Sequence, residues 1–419
     1  MKRIIIVLFS VLTVIPMLAQ YTGEESEGFY RIKNNGAAKR YITIVNDKVD
    51  NNFKKFTVND YKTWRAVNAL TTVKDPTNDP GSILYISGNT SDLSLKGQGM
   101  DTSVLLGSNY KLMKNGSQLC SEYKGTMVFM TDNYDADNNK NATVGIGLSS
   151  IAKEAGTYAS WEFVKIDNEK EYFGITPEIE LDNKYYTTLF TSFAYQLSDG
   201  MKAYYVNEHE YRTDKITEPL AVLTEVPTNQ IPAGTPVIIE CISNKPSDNK
   251  LIPLKSSSST IKNNELIGIY FCYIKYSFDD VNRGESETDA AKELKNVIEY
   301  DAQEMRVLGT VDGKLALTVA NDKQIVVTNK GKYLPANKAY LPIKYSESSI
   351  TQKGIKLVDK KTFDDAITAA AAIRNINNNE VQTTSGVFTL TGTRIKSDNS
   401  TEGLANGIYI INGKKVIIK

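Results

Sequence analysis

Apolar and polar positions alternate in short runs along most of the chain, broken by clusters of Gly, Asn, Asp and Ser. A period of two predicts half-buried strands, and frequent turn clusters predict antiparallel pairing, so the expected class is all-β. Two stretches repeat one design. Ile231 to Cys241 sets a Pro232-Ala233-Gly234 turn before the β-branched run Val237-Ile238-Ile239, and Leu334 to Ile343 sets Pro335-Ala336-Asn337 before Tyr340-Leu341. Pro holds φ near the value a turn's second position needs, and Gly or Asn accepts positive φ, so each stretch predicts a corner opening onto a buried strand.

The pattern divides the chain into blocks. Residues 24–168 open with Phe29-Tyr30-Arg31-Ile32 and Arg40 to Val45 flanking a Lys33 to Gly36 turn, a hairpin signal. Ile83-Leu84-Tyr85-Ile86 and further short runs follow, closing on Trp161-Glu162-Phe163-Val164, and this spacing suits a β-trefoil or small barrel. Trp161, amid Phe163 and Val164, is expected in the core. Residues 169–360 predict a β-sandwich with a surface helix. Tyr185-Tyr186 and Tyr204-Tyr205 lie on strands, with one Tyr of each pair expected inside and the other outside. The helix follows Ser286, with Ala290, Ala291, Leu294, Val297 and Ile298 on one face. Residues 361–385 form a second helix, Thr362 to Arg374, capped by Thr362 with Phe363, Ala366, Ile367 and Ala370 inward, then a polar linker from Ile376 to Ser385. Residues 386–419 form a short C-terminal β module, in which Asn412-Gly413 between apolar runs is a strong hairpin signal.

Residues 1–20 stand apart. Lys2 and Arg3 precede an apolar run from Ile4 to Val14, and Met17-Leu18-Ala19 offers a small residue for cleavage, the layout of a secretory signal peptide. The run is shorter than the roughly 18 residues that span a bilayer, and no later stretch is long and apolar enough, so no transmembrane segment is expected after cleavage. The expected location is extracellular or at the outer cell surface. Lys plus Arg and Asp plus Glu number 49 each, leaving no global field to hold nucleic acid. With only three cysteines, Cys120, Cys241 and Cys272, an exported chain is no disulfide framework; buried thiols are favoured over one bridge between Cys241 and Cys272.

Two resemblances are carried by particular residues. "GFYRIKNNG" with "KRYITIVND" at the start of the first block, and "SWEFVKI" at its end, resemble the first and last hairpins of ricin-type β-trefoil lectin domains. That resemblance implies a trefoil and a glycan ligand. The tail runs Val387-Phe388-Thr389-Leu390-Thr391-Gly392-Thr393-Arg394, then Leu404 through Gly407-Ile408-Tyr409, then Lys414-Lys415-Val416. It resembles the C-terminal sorting modules of type IX secretion cargo, which implies export and a secretion-machinery partner.

Assembled chemistry is sparse. His209, the one histidine, sits between Glu208 and Glu210 with no Gly-x-Ser-x-Gly elbow elsewhere, and reads as a solvated loop side chain. Asp135, Asp137, Asn139 and Asn141 alternate like calcium-loop ligands, but Lys140 replaces the turn Gly and Ile146 the closing Glu, which leaves a loose surface site at most. Glu178 and Glu180 would share one side of a strand, the arrangement a glycoside hydrolase would need. Trp64, Tyr185 and Tyr205 are candidates to stack on a sugar or anchor a protein, with Asp135 and Asp137 as further ligand-binding candidates. No cofactor or metal is implied. The expectation is a secreted or surface, non-catalytic binding or adhesion protein for a glycan or surface protein. The alternatives are a hydrolase using paired carboxylates and a structural adhesin component.

Overall fold

A computed structural model describes residues 26–36, 39–44, 70–106, 110–132, 146–149, 156–212, 214–269, 300–328, 331–344, 354–378, 386–411 and 414–419. The signal-peptide stretch, Trp64, the Asp135 to Asn141 loop, Cys272 and the Ser286 helix lie outside the described residues. Within them the chain is all-β, built on six sheets with one long helix, Lys360–Asn378.

The first block pairs its ends. Gly28–Asn34 lies antiparallel to Trp161–Lys165 in a five-residue register from Tyr30 opposite Lys165 to Asn34 opposite Trp161. The same strand pairs Tyr41–Ile44, forming the expected hairpin, and Leu84–Asn89 on its other side. Tyr30, Ile32, Ile42, Ile44, Leu84, Ile86, Leu95, Trp161 and Phe163 form its core. Trp161 is buried, and its indole N–H donates to the Met130 carbonyl at 2.8 Å.

The central block holds a ten-stranded sheet and a four-stranded one. Val237–Cys241 shows why the ten-stranded sheet is buried on both sides. Its alternation sends Val237, Ile239 and Cys241 to one face, where they meet Tyr195, Leu197 and Leu251 of the four-stranded sheet, while Ile238 goes to the other. On that second face Tyr186, Val206 and Ile238 share a cluster with Leu308, Leu317 and Leu341, which come from the far half of the same strand order, so the sheet curls around a core of its own.

Because both faces are covered, the two tyrosines of each pair are packed. Tyr185 and Tyr205 lie half-buried against one cluster, and Tyr186 and Tyr204 belong to the other. The split into one inner and one outer Tyr is therefore corrected. Tyr204 at 2.9 Å and Tyr186 at 3.5 Å donate to the Glu240 carboxylate, which Lys184 pairs at 3.1 Å. Burial, then the Glu240 bond and charge, pushes the Tyr204 phenol well above its ordinary range.

The blocks are joined by more than chain continuity. Phe29 and Ile83 of the first block pack into the cluster of Phe173, Phe193 and Tyr195 in the central block, across the division read at 168/169. Arg31, almost fully buried, pairs with Glu171 at 3.2 Å and donates to the Ser82 hydroxyl and the Pro76 and Tyr172 carbonyls. Burial lowers the pKa of this guanidinium, and Glu171 partly offsets the effect.

The long helix lies over Leu220–Glu225, with Phe363, Ala366 and Ile367 packed on Ile216, Leu220 and Val222. Two details of the expected helix change. Asp359, not Thr362, caps it, accepting from the Thr362 N–H at 2.9 Å and its hydroxyl at 2.8 Å. The helix also runs on to Asn378, past the expected stop at Arg374 and into the stretch read as linker. Cys120 and Cys241 are buried free thiols; burial raises both pKa values, that of Cys241 to about 12.

Candidate functional site

The two Pro-Ala corners are equivalent in backbone. Gly234 has φ +69° and Asn337 φ +60°, the left-handed conformation that Gly and Asn tolerate. The Gly234 N–H donates to the Thr191 carbonyl at 2.8 Å; Asn337 accepts from the Phe190 N–H at 2.9 Å and returns a side-chain N–H to the Phe190 carbonyl at 2.9 Å. The loop from Phe190 to Phe193 is thus held from both corners. Gly268 lets the Phe190 ring lie flat on the backbone, since a Cβ there would come within 2.1 Å of the ring.

Asn337 also reaches the first block. Its amide and that of Gln98 form a two-way pair at 2.8 and 2.9 Å, both residues being almost fully buried. This pair seats the turn from Gly97 to Gly99 against the central block. Beside it opens a cleft of about 530 Å³, a size that suits a small ligand.

One surface of the cleft is a row of side chains set side by side by strand register. Phe29 lies opposite Tyr85, Tyr85 opposite Lys96, and Lys96 opposite Asp101, so four neighbouring strands each present one residue to the cleft. Cross-strand neighbours on one face sit roughly 5 Å apart, within contact reach. The facing wall comes from Ser192, Phe193, Ala233, Leu254 and Lys255. Phe29 stands edge-on to Tyr85 at 5.1 Å between ring centres and tilts against Phe193 at 5.7 Å. Lys255 holds its ammonium 5.8 Å from the centre of the Tyr85 ring and bonds the Glu27 carboxylate. That bond lowers the pKa of Glu27 and raises that of Lys255. The Tyr85 hydroxyl lies close to the same pair, yet it is buried with no hydrogen-bond partner of sound geometry.

The residues expected from sequence are placed elsewhere or not described. Tyr185 and Tyr205 do not line the cleft; Trp64, Asp135 and Asp137 lie outside the described residues. Glu178 is tied to Lys338 at 3.0 Å and to the Thr187 hydroxyl at 3.3 Å, while Glu180 is exposed, and neither reaches the cleft. His209 is not a solvated loop residue. It sits on the strand Lys202–Glu210, stacks on Tyr211 at 5.4 Å, and its Nδ1 meets the Glu265 carboxylate at 2.5 Å. Among the described residues, no three His, Cys, Asp or Glu side chains gather where they would hold a metal ion.

The cleft row is not legible in the sequence. Its strands were legible as alternating runs, but the register that sets Phe29, Tyr85, Lys96 and Asp101 abreast joins separate segments and leaves no local mark. Comparison with protein-family models, with curated proteins and with solved structures returns no match.

Proposed function

We propose that this is an exported, non-catalytic binding protein that takes a glycan in the cleft between its first and central blocks. The observation that carries this reading is the cross-strand row itself. Apolar rings at Phe29 and Tyr85 pass directly into hydrogen-bonding groups at Lys96 and Asp101, and a sugar presents the same pairing of an apolar C–H face with a polar edge. The resemblance of the first block's terminal segments to trefoil lectin hairpins supports the ligand class. The leader at residues 1–20 supports export. The tail, a separate sheet on which Ile395, Ile408 and Ile417 are exposed, supports a docking role for secretion machinery.

A glycan array probed with the full chain, followed by calorimetry on the best ligand, tests the reading. The expected result is a bound glycan whose affinity falls at least about tenfold, or 1.4 kcal/mol, in Asp101→Ala, an exposed site, with the variant's fold checked by circular dichroism. An array without a hit, or a hit indifferent to Asp101→Ala, would sink it. For the tail, normal export of a chain lacking residues 386–419 would remove the sorting role.

A further inference from the structure

The charges at the cleft cancel, and they do so in two different ways. Lys96 and Lys255 stand against Asp101 and Glu27, so a ligand meets no net charge. Lys255 is bonded to Glu27, which closes that pair. Lys96 and Asp101 instead lie opposite each other on neighbouring strands, both exposed, and Lys96 enters no ion pair among the described residues. A cation and an anion thus stand side by side without closing on one another. A ligand group set between them meets a donor on one side and an acceptor on the other. On the facing wall, Ser192 adds a half-buried hydroxyl, which is uncharged.

We infer, resting on the glycan reading, that the cleft selects neutral oligosaccharides and rejects both uronates and amino sugars. One sugar lies on the rings of Phe29 and Tyr85, and a further unit sets a hydroxyl between Lys96 and Asp101. A hydroxyl fits that place because it accepts from the ammonium and donates to the carboxylate at once. A sugar carboxylate would be drawn by Lys96 and repelled by Asp101, and a sugar ammonium the reverse. Either ion gains little there and gives up hydration on entering. The row also sets a length. Its four strands place three spacings of about 4.8 Å end to end, roughly 14 Å in all, which is longer than one pyranose ring. A single sugar therefore covers the aromatic half or the charged half, and an oligosaccharide covers both.

The test is calorimetry of the full chain at pH 6 with neutral trimers (cellotriose, maltotriose and mannotriose), with trigalacturonate and with triglucosamine. Each is measured on wild type, Lys96→Gln and Asp101→Asn. The expected result is one neutral trimer bound about tenfold more tightly than either charged trimer, and than its own monosaccharide. That affinity should not change with salt concentration. The two variants should shift the preference in opposite directions. Asp101→Asn leaves Lys96 unbalanced and should move the ratio of acidic to neutral affinity about threefold towards trigalacturonate; Lys96→Gln should move the cationic ratio as far towards triglucosamine. A charged trimer bound as tightly as the best neutral one would overturn the neutral preference and leave the glycan reading standing. A preference that neither variant moves would overturn the role of the Lys96 and Asp101 pair. A monosaccharide bound as tightly as its trimer would overturn the length. Binding of no trimer would overturn the inference, and an array free of hits besides would overturn the glycan reading with it.

Discussion

The corner at Pro232 to Gly234 and the corner at Pro335 to Asn337 share a backbone and differ in the side chain at the left-handed position. At the first, the residue is exposed Gly, and the corner ends as one edge of the cleft wall at Ala233. At the second, the residue is Asn, 3% exposed, with its amide spent on Gln98 and Phe190. One turn shape thus serves two purposes. Where nothing must be reached, Gly satisfies the conformation; where a buried contact between blocks is wanted, Asn supplies both the conformation and the contact.

Substitutions at the two positions should therefore have very unequal effects. The largest is expected from Asn337→Asp, which places a carboxylate in the buried pair and removes its donor; about 4 kcal/mol should be lost at neutral pH in urea denaturation. Burial would raise that Asp's pKa in the folded state above its unfolded value near 3.9, so the folded state binds the extra proton. The loss should be full above the folded pKa and shrink as pH falls through it towards the unfolded value. A pH-independent loss would count against a buried charge. Asn337→Ala should cost about 3 kcal/mol at every pH, since it strands the Gln98 amide and the Phe190 carbonyl. Gly234→Ala should cost about 1 kcal/mol, the penalty of a Cβ at positive φ alone. Gly234→Asn should lie within about 0.5 kcal/mol of wild type, because Asn tolerates that conformation. A Gly234→Ala loss as large as that of Asn337→Ala would erase the distinction between the corners.

What the chain disclosed in advance follows from the range of each signal. The all-β class, both corners, the opening hairpin and the burial of Trp161 rest on spacing within a few residues, and each is found. The helix cap lies a short distance before the expected one: Thr362 is a good capping residue, but Asp359 precedes it and takes its N–H. The alternation of a single strand makes the tyrosine pairs look half-exposed, because it cannot reveal that a sheet is covered on both faces. His209 looked solvated because its partner, Glu265, lies 56 positions on. The cleft was invisible for a related reason, since Phe193 and Lys255 come to Tyr85 only through the assembly of two blocks. Arg31 carried no flag either, as one basic residue in an alternating run ordinarily points to solvent.

The amide pair between Gln98 and Asn337 spans 239 positions. Closing so long a loop is entropically costly, and such contacts form after local hairpins in a folding chain. The turn beside Gly97 is consequently complete only once the chain has been synthesised past residue 337. A nascent or truncated polypeptide ending short of that point would carry all the residues of the cleft and still lack the fastening that sets its two walls at their working distance.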